Sequence, residues 1–182
     1  MQKRTGVVAI VVPVLVLIAL STTAFAQDDK SKRPSPPAQA QCKLPDGKTV
    51  TIDYSSPRMK GRKIFGDLVP FGKVWRAGAN EATTFVTDAD LTVGGKAVPA
   101  GSYTLFTIPA EGKWTLIVNK KTGEWGVPYK YETDELVRAD MKVSKTSAPV
   151  ENFDIALEPK GKGCTLTMSW ESTKAWVMIE GK

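Results

Sequence analysis

The side chains best suited to chemistry lie together in one short stretch, residues 75–81. Arg76 carries a planar, permanently charged fork that can hold a carboxylate or phosphate through parallel hydrogen bonds. Asn80 can donate and accept hydrogen bonds at once, as recognition of hydroxyl and amide groups requires. Trp75 offers a ring on which a sugar can stack, and Glu81 can accept hydrogen bonds. These residue types predict a site for an anionic or hydroxyl-rich ligand.

Each of these residues also has a purely structural interpretation. Arg76 and Glu81 can form an internal ion pair, and Trp75 can belong to the core. Gly78 can serve a turn rather than the close approach of a ligand to the backbone. The sequence therefore leaves a binding role and a structural role open for every member of the stretch. Further candidates for a stacking surface are Trp125, Tyr129 and Tyr131.

Catalytic chemistry has few candidates in this chain. The sequence contains no histidine, which excludes Ser-His-Asp and Cys-His catalysis and every metal site that uses imidazole. Asp67 and Glu81 are weak candidates for a glycosidase pair, which needs two carboxyl groups about 5–9.5 Å apart. They define an alternative, a small histidine-free hydrolase of envelope or extracellular carbohydrate. Phosphate-binding loops, dinucleotide fingerprints and EF-hand patterns are absent, so no cofactor and no metal are predicted.

The stretch belongs to a longer irregular segment, residues 55–84, that lacks the alternation of its surroundings. Long irregular connections in compact domains are often functional. In this segment basic residues outnumber acidic ones. The acids are Asp67 and Glu81, and the basic residues are Arg58, Lys60, Arg62, Lys63, Lys73 and Arg76. The predicted ligand-binding set is Arg58, Arg62, Trp75, Arg76, Asn80 and Glu81.

The elements that must position this segment are strands. Apolar and polar residues alternate around residues 50–54, 137–143, 153–157 and 164–170, which is typical of antiparallel strands with one dry face. Residues 103–108 and 114–118 are apolar on both faces and are predicted to be central. Gly94 and Gly95 predict a hairpin turn. Eight to ten strands indicate an all-β, single antiparallel β-sandwich, jelly-roll-like or related, with a closed barrel as the alternative. The best helical candidate is one or two turns around residues 64–69.

Three blocks of the sequence resemble a known family. They read SPRMKGRKIFGDLVPFGKVWRAGANEATTF, LTVGGKAVPAGSYTLFTIP and EWGVPYKYETDELVRADMKV, and they look like domain of unknown function 2911, a family of exported bacterial proteins. The resemblance covers most of residues 48–179. It implies a single β-rich extracytoplasmic domain, and it implies no reaction and no catalytic residues.

The N-terminal region has the pattern of an export signal. Lys3 and Arg4 precede an apolar run over residues 6–20, and Ala24-Phe25-Ala26 fits a signal-peptidase site. An uncleaved anchor is the alternative, although the run is shorter than the roughly 20 residues of a spanning helix. We predict a signal peptide over residues 1–26, a Pro-rich flexible spacer over 27–41 and a β-sandwich domain over 42–182. Cleavage after Ala26 would leave a periplasmic or extracellular protein without a stable membrane anchor.

Cysteine and charge content complete the sequence-based predictions. Cys42 and Cys164 predict one disulfide in an oxidising compartment, with two buried free thiols as the alternative. The formal net charge of +6 is spread along the chain without a stacking platform or basic helix, so no nucleic-acid partner is predicted. No pattern defines an oligomeric state.

The leading functional hypothesis is a non-catalytic binding or interaction module for a small-molecule or glycan ligand. A third hypothesis, beside the hydrolase, is a structural envelope domain whose irregular segment only closes the end of the sandwich.

Overall fold

Nine antiparallel strands form one sheet in the computed structural model, which describes residues 29–182. The strands are β1 Pro37–Lys43, β2 Thr49–Ser55, β3 Thr83–Thr87, β4 Leu91–Val93, β5 Lys96–Val98, β6 Gly101–Ile108, β7 Lys113–Asn119, β8 Glu135–Lys160 and β9 Gly163–Gly181. Their order in the sheet is β1-β2-β3-β6-β7-β8-β9-β4-β5. The predicted all-β class is confirmed, and the sheet is consistent with a sandwich and does not close into a barrel, because β1 and β5 remain as edges.

The strongest strand predictions are also confirmed. β6 and β7 lie in the middle of the sheet, as expected from runs that are apolar on both faces. Gly94 and Gly95 connect the β4–β5 hairpin. The predicted helical turns around residues 64–69 are wrong: this stretch forms turns and a Phe65–Val69 bridge. Gly66 has a φ of 87°, which a right-handed helix does not accommodate. Within residues 29–182 the only helical elements are 3₁₀ turns at Lys30–Lys32 and Glu132–Asp134.

The long β8–β9 hairpin bends and so allows the sheet to enclose a core. Its register shifts between Lys145 and Asp154, where β8 carries more residues than β9. On β9 the bend falls at Glu171, which has a φ of 54°. Even-numbered residues face the core before Glu171 and odd-numbered residues face it afterwards. A β-bulge has this effect, because the extra residue re-aims every side chain that follows.

The disulfide between Cys42 and Cys164 is present, as predicted. It joins β1 to the beginning of β9 and closes a loop with a sequence separation of 122. The chain-entropy account of cross-links gives about 5 kcal/mol of stabilisation for a loop of this length. The bridge therefore holds an edge strand against the far arm of the bent hairpin.

The predicted spacer extends too far into the chain. β1 begins at Pro37, so residues 37–41 of that segment pair with β2. Alternation of small Ala and polar Gln residues gave no strong strand pattern, and Pro37 is tolerated because it starts an edge strand. The predicted signal peptide, residues 1–26, lies outside the described residues. No helix among residues 29–182 is long and apolar enough to cross a membrane.

Candidate functional site

The bulged part of β8 holds the irregular segment by backbone hydrogen bonds. Met59 N–H donates to the Glu151 carbonyl at 2.7 Å, and Phe153 N–H donates to the Pro57 carbonyl at 2.8 Å. The Ser56 hydroxyl donates to the Phe153 carbonyl at 2.6 Å. These bonds satisfy backbone groups that the disrupted β8–β9 ladder leaves unpaired. The bulge thus explains why residues 56–59 lie against the bend of the hairpin.

Beneath this segment five aromatic rings form one cluster. Phe65 and Trp75 come from the irregular segment and pack onto rings supplied by the strands, Trp114, Phe153 and Trp170. The ring centroids of Trp75 and Trp170 are 6.0 Å apart and nearly parallel, while those of Trp75 and Phe153 are 4.9 Å apart and edge-on. Trp75 also donates its indole N–H to the Gly78 carbonyl at 3.1 Å. The side chain of Trp75 is therefore held in a fixed position by the core.

A cavity of about 310 Å³ opens beside this cluster. We call it the arginine cavity. Three of the predicted ligand-binding residues, Arg62, Trp75 and Arg76, line it. Its remaining lining comprises Ser35, Pro57, Leu68, Val69, Gly78, Ala79, Val127 and Trp170. The site consequently combines two guanidinium groups with indole rings and aliphatic side chains.

Among the charged side chains of this cavity, Arg76 contacts an aromatic ring and a carbonyl group. Its Nη1 donates to the Trp125 carbonyl at 3.1 Å, and its guanidinium carbon lies 5.1 Å from the centroid of the Trp125 ring. Gly126 permits this approach, since a Cβ there would come within 2.9 Å of Ala82 Cβ and 3.2 Å of Arg76 Cβ. Burial lowers the pKa of Arg76, and the nearby charge of Glu81 opposes that shift. No carboxylate among residues 29–182 contacts this guanidinium.

The other two arginines of the predicted set bind the backbone. Arg62 Nε donates to the Met59 carbonyl at 2.9 Å, and its Nη2 donates to the Arg58 carbonyl. Arg58 Nη1 donates to the carbonyl and the hydroxyl of Ser56. Arg62 nevertheless lines the arginine cavity, whereas Arg58 does not. Arg58 therefore serves the conformation of the segment.

Asn80 and Glu81 bind the chain itself at its N-terminal end. Asn80 Nδ2 donates to the Ser35 carbonyl at 3.0 Å. Both carboxylate oxygens of Glu81 accept from Arg33 Nη1 at 3.0 Å, and Lys30 Nζ lies 3.1 Å from the same carboxylate. Arg76 and Glu81 do not form the direct ion pair that was their structural alternative, because Arg33 reaches Glu81 from 48 positions earlier in the chain. We call residues 29–36 the N-terminal strap.

The pKa of Glu81 reflects this environment. A hydrogen bond from its own backbone N–H, followed by those from Arg33 and Lys30, lowers the pKa to about 2. Glu81 is therefore a carboxylate at neutral pH and has no proton to donate. Asp67 is exposed and does not line the arginine cavity. Nothing in this geometry favours the two acids as a hydrolytic pair.

Backbone strain accompanies these contacts. Ala77 and Asn80 have φ values of 52° and 56°, in the left-handed region that non-glycine residues rarely adopt. Gly78, between them, sits where a Cβ would lie 3.0 Å from the Ser55 carbonyl oxygen. Such conformations persist only when surrounding structure enforces them, and they concentrate at functional sites. Here the Ser55 carbonyl, the N-terminal strap and the aromatic cluster enforce them.

The predicted stacking residues Tyr129 and Tyr131 lie elsewhere, on the outer face of β6 and β7. Their rings pack on Phe106, with centroids 4.9 and 6.0 Å away. Together with Asn119, Glu135 and Arg138 they form what we call the tyrosine network. The Asn119 side-chain amide donates to the Tyr131 carbonyl at 2.8 Å, and the Tyr129 hydroxyl donates to Glu135 at 2.6 Å.

The charged side chains of the tyrosine network pair with each other. Arg138 donates from Nη2 to Glu135 at 2.8 Å and also from Nε to the same carboxylate. Burial and the hydrogen bond to Glu135 raise the pKa of Tyr129. Arg138, followed in effect by Tyr129, lowers the pKa of Glu135 against the opposing effect of burial. The network has a structural role, and of the predicted stacking residues outside the cluster Trp125 is the one that contacts Arg76.

Sequence reasoning missed part of the arginine cavity. Leu68 and Val127 are 46% and 41% exposed, and Trp170 forms part of the wall. Ser35 of the N-terminal strap completes the lining. Leu68 and Val127 are apolar residues close to glycines and prolines, which is typical of exposed turns and could have identified them. Ser35 lies in a segment that has no recognisable sequence pattern. Among residues 29–182 no group of three or more Cys, Asp or Glu side chains is placed to hold a metal ion.

The sequence model of one protein family matches this chain over residues 35–179. The chain belongs to the family described as Protein of unknown function (DUF2911). This confirms the resemblance carried by the three sequence blocks. The DUF2911 match begins two residues before β1, so it includes the edge strand that the sequence patterns missed. Comparisons of the chain with the curated proteins and with the solved structures give no match.

Proposed function

We propose that this DUF2911 domain is an exported, non-catalytic binding module whose arginine cavity takes a small anionic or hydroxyl-rich, carbohydrate-like ligand. The observation that carries the proposal is Arg76. Its guanidinium is partly buried beside an aromatic ring, and it has no carboxylate partner among residues 29–182. A partly desolvated cation that no carboxylate pairs with directly is unfavourable, and an anionic ligand would add to the partial compensation that the nearby charge of Glu81 provides.

Hydrogen-bonding capacity at Arg76 supports the same conclusion. A guanidinium has five N–H donors, and the structure assigns Arg76 one side-chain hydrogen bond, to the Trp125 carbonyl. The remaining donors can form the paired hydrogen bonds that carboxylates and phosphates accept. Arg62 lines the same cavity and adds a second positive charge. The electrostatic character of the site therefore favours ligands with at least one negative charge.

Apolar surface around the arginines narrows the ligand class further. Leu68 and Val127, which line the cavity, are 46% and 41% exposed, and Trp125, which contacts Arg76 from outside the lining, is 54% exposed. Small-ligand sites typically combine such apolar lining with a few polar groups in volumes of about 300–1,000 Å³. The cavity of about 310 Å³ is at the small end of this range. A sugar acid or sugar phosphate, with a flat apolar face and a charged substituent, has the matching chemistry.

Export is part of the proposal and has two supports. The N-terminal pattern predicts a cleaved signal peptide, and the Cys42–Cys164 disulfide is typical of oxidising compartments. Mass spectrometry of the protein recovered from the producing cells measures this directly. We expect a mature N-terminus at Gln27 and a mass that is two hydrogens short of the reduced form.

Binding is tested by calorimetric titration of the protein expressed from the full chain. The probes are glucuronate, glucose 6-phosphate and uncharged glucose. Arg76→Gln keeps polarity but removes the charge, and Lys73→Gln is the matched control, since Lys73 is an exposed cation of the irregular segment that does not line the cavity. Charge-assisted hydrogen bonds contribute about 1.5–3 kcal/mol, so we expect Arg76→Gln to weaken binding of an anionic probe by about 10- to 100-fold. Lys73→Gln should remain within about 2-fold of the original affinity.

Two outcomes would refute the arginine cavity as the site. One is equal affinity of the original protein and Arg76→Gln for every anionic probe. The other is the absence of binding to all three probes at millimolar concentration.

A further inference from the structure

The bent hairpin carries a second cavity, on the face of the sheet opposite the core. It has a volume of about 310 Å³, and its lining includes Glu158, Lys160, Thr167, Lys174 and Trp176. We call it the hairpin cavity. It shares no lining residue with the arginine cavity.

The switch of side-chain direction at Glu171 creates this cavity. Before the switch Leu166 and Met168 face the core, so Thr167 faces outward. After it Ala175 and Val177 face the core, so Trp176 faces outward. Both arms of the hairpin therefore contribute to one concave outer surface.

Thr167 is the observation that points to a ligand. Its side chain is only 4% exposed, and its hydroxyl oxygen has no hydrogen-bond partner among residues 29–182. Leaving a buried polar group unpaired costs about 1–3 kcal/mol, and most such groups in proteins are paired. This hydroxyl lines a cavity, so a bound molecule can supply the partner that the chain does not.

The other polar groups of the hairpin cavity are also uncommitted. The side chains of Glu158, Lys160 and Lys174 take part in no hydrogen bond or ion pair within residues 29–182. In the same range the indole N–H of Trp176 has no acceptor. The surface thus offers an aromatic face, a buried hydroxyl, two ammonium groups and one carboxylate.

We infer that the hairpin cavity is a second binding site, for a short saccharide that carries carboxylate groups. Trp176 supplies the flat surface on which a sugar ring packs, and Thr167 supplies a hydrogen bond to a ring hydroxyl. Lys160 and Lys174 outnumber Glu158, which favours acidic over neutral saccharides. The inference does not depend on the arginine cavity, because a different set of side chains carries it.

Calorimetric titration with trigalacturonate and maltotriose, an acidic and a neutral trisaccharide, tests the inference on the protein expressed from the full chain. Thr167→Val removes the hydroxyl while keeping the shape, and Lys174→Gln removes one charge. We expect each variant to bind trigalacturonate about 5- to 20-fold more weakly than the original protein. Maltotriose should bind the original protein at least 5-fold more weakly than trigalacturonate does.

Controls separate the two cavities and exclude unfolding. Lys73→Gln should leave trigalacturonate binding unchanged. Arg76→Gln should still bind trigalacturonate at the hairpin cavity with the original affinity. Urea midpoints within error of the original protein show that Thr167→Val and Lys174→Gln are folded. The inference is overturned if trigalacturonate does not bind at millimolar concentration. It is also overturned if folded Thr167→Val and Lys174→Gln bind as tightly as the original protein, or if Arg76→Gln alone abolishes all binding.

Discussion

The arginine cavity and the tyrosine network contain similar side chains and use them in opposite ways. Each region combines an arginine with aromatic rings. In the tyrosine network Arg138 is paired with Glu135, and Glu135 also accepts from the Tyr129 hydroxyl. In the arginine cavity Arg76 contacts a ring and one carbonyl, and no carboxylate among residues 29–182 reaches it. The difference lies in the partners rather than in the residue types.

This contrast teaches how to distinguish a site from a scaffold when the ingredients are alike. Aromatic and cationic residues are present in both regions, so their presence alone does not identify a ligand site. In this protein the polar groups that the chain itself satisfies contribute to stability, whereas the partly buried donors of Arg76 that it leaves available are suited to recognition. By this criterion Asn80 and Glu81 belong to the scaffold, because the N-terminal strap occupies them.

Replacing Trp75 by alanine should have the largest effect, because it removes the wall that makes the arginine cavity rigid. The ring packs against four other aromatic rings, and truncation of large aromatic side chains costs about 3–5 kcal/mol. We expect a loss of about 3 kcal/mol in the free energy of unfolding, measured in urea. Trp125→Ala, at an exposed ring, is the control and should change stability by about 0.5 kcal/mol or less. A loss below about 1 kcal/mol for Trp75→Ala would show that the cluster does not hold this wall.

A smaller effect is expected in the tyrosine network. Asn119 is fully buried, and its amide contacts the Tyr129 hydroxyl and the Tyr131 carbonyl. Asn119→Ala leaves buried groups unpaired, so we expect a loss of about 1–3 kcal/mol in unfolding free energy. Anion binding by the folded variant should be unchanged in calorimetric titration. If Asn119→Ala lost anion binding without losing stability, the tyrosine network would be a binding site rather than a structural element.

The smallest effect concerns the pH dependence set by Glu81. Its pKa is about 2 in the folded protein and near 4.5 when unfolded, so its stabilising contribution is complete above pH 4.5. That contribution is lost as the pH falls from 4.5 through about 2, where the folded carboxylate takes up its proton. We expect Glu81→Gln to have a lower urea midpoint than the original protein at pH 7, by less than Asn119→Ala. The difference between the two midpoints should shrink progressively as the pH falls from 4.5 to 2.5, and a constant difference across this range would contradict the role of the ion pairs.

Much of the fold could be predicted from local patterns. Alternation identified β2, β8 and β9, and paired glycines identified the β4–β5 turn, because side-chain direction in a strand depends on neighbouring residues. β1 was missed because alanine is small and disfavours strands, so its alternation with glutamine gives a weak strand signal next to the prolines that indicated a spacer. The helical turns proposed near Phe65 failed because Gly66 adopts a left-handed conformation.

Less of the candidate site could be predicted, for a physical reason. Arg62, Trp75 and Arg76 line the arginine cavity as their residue types suggested. The partner of Glu81, however, depends on where Arg33 lies in space, and no local pattern contains that information. The same holds for Thr167, whose missing partner is visible only when the whole sheet is assembled.

The position of the disulfide has a consequence for self-association. β1 is an outermost strand, and such strands expose unpaired backbone groups that can recruit another chain. Cys42 lies within β1 and is bonded covalently to Cys164, so β1 cannot peel away and offer its neighbour β2 as a fresh template. Reduction of this bond leaves β1 held by noncovalent contacts alone, chiefly its pairing with β2, so an oxidising environment helps to protect the protein against intermolecular sheet extension.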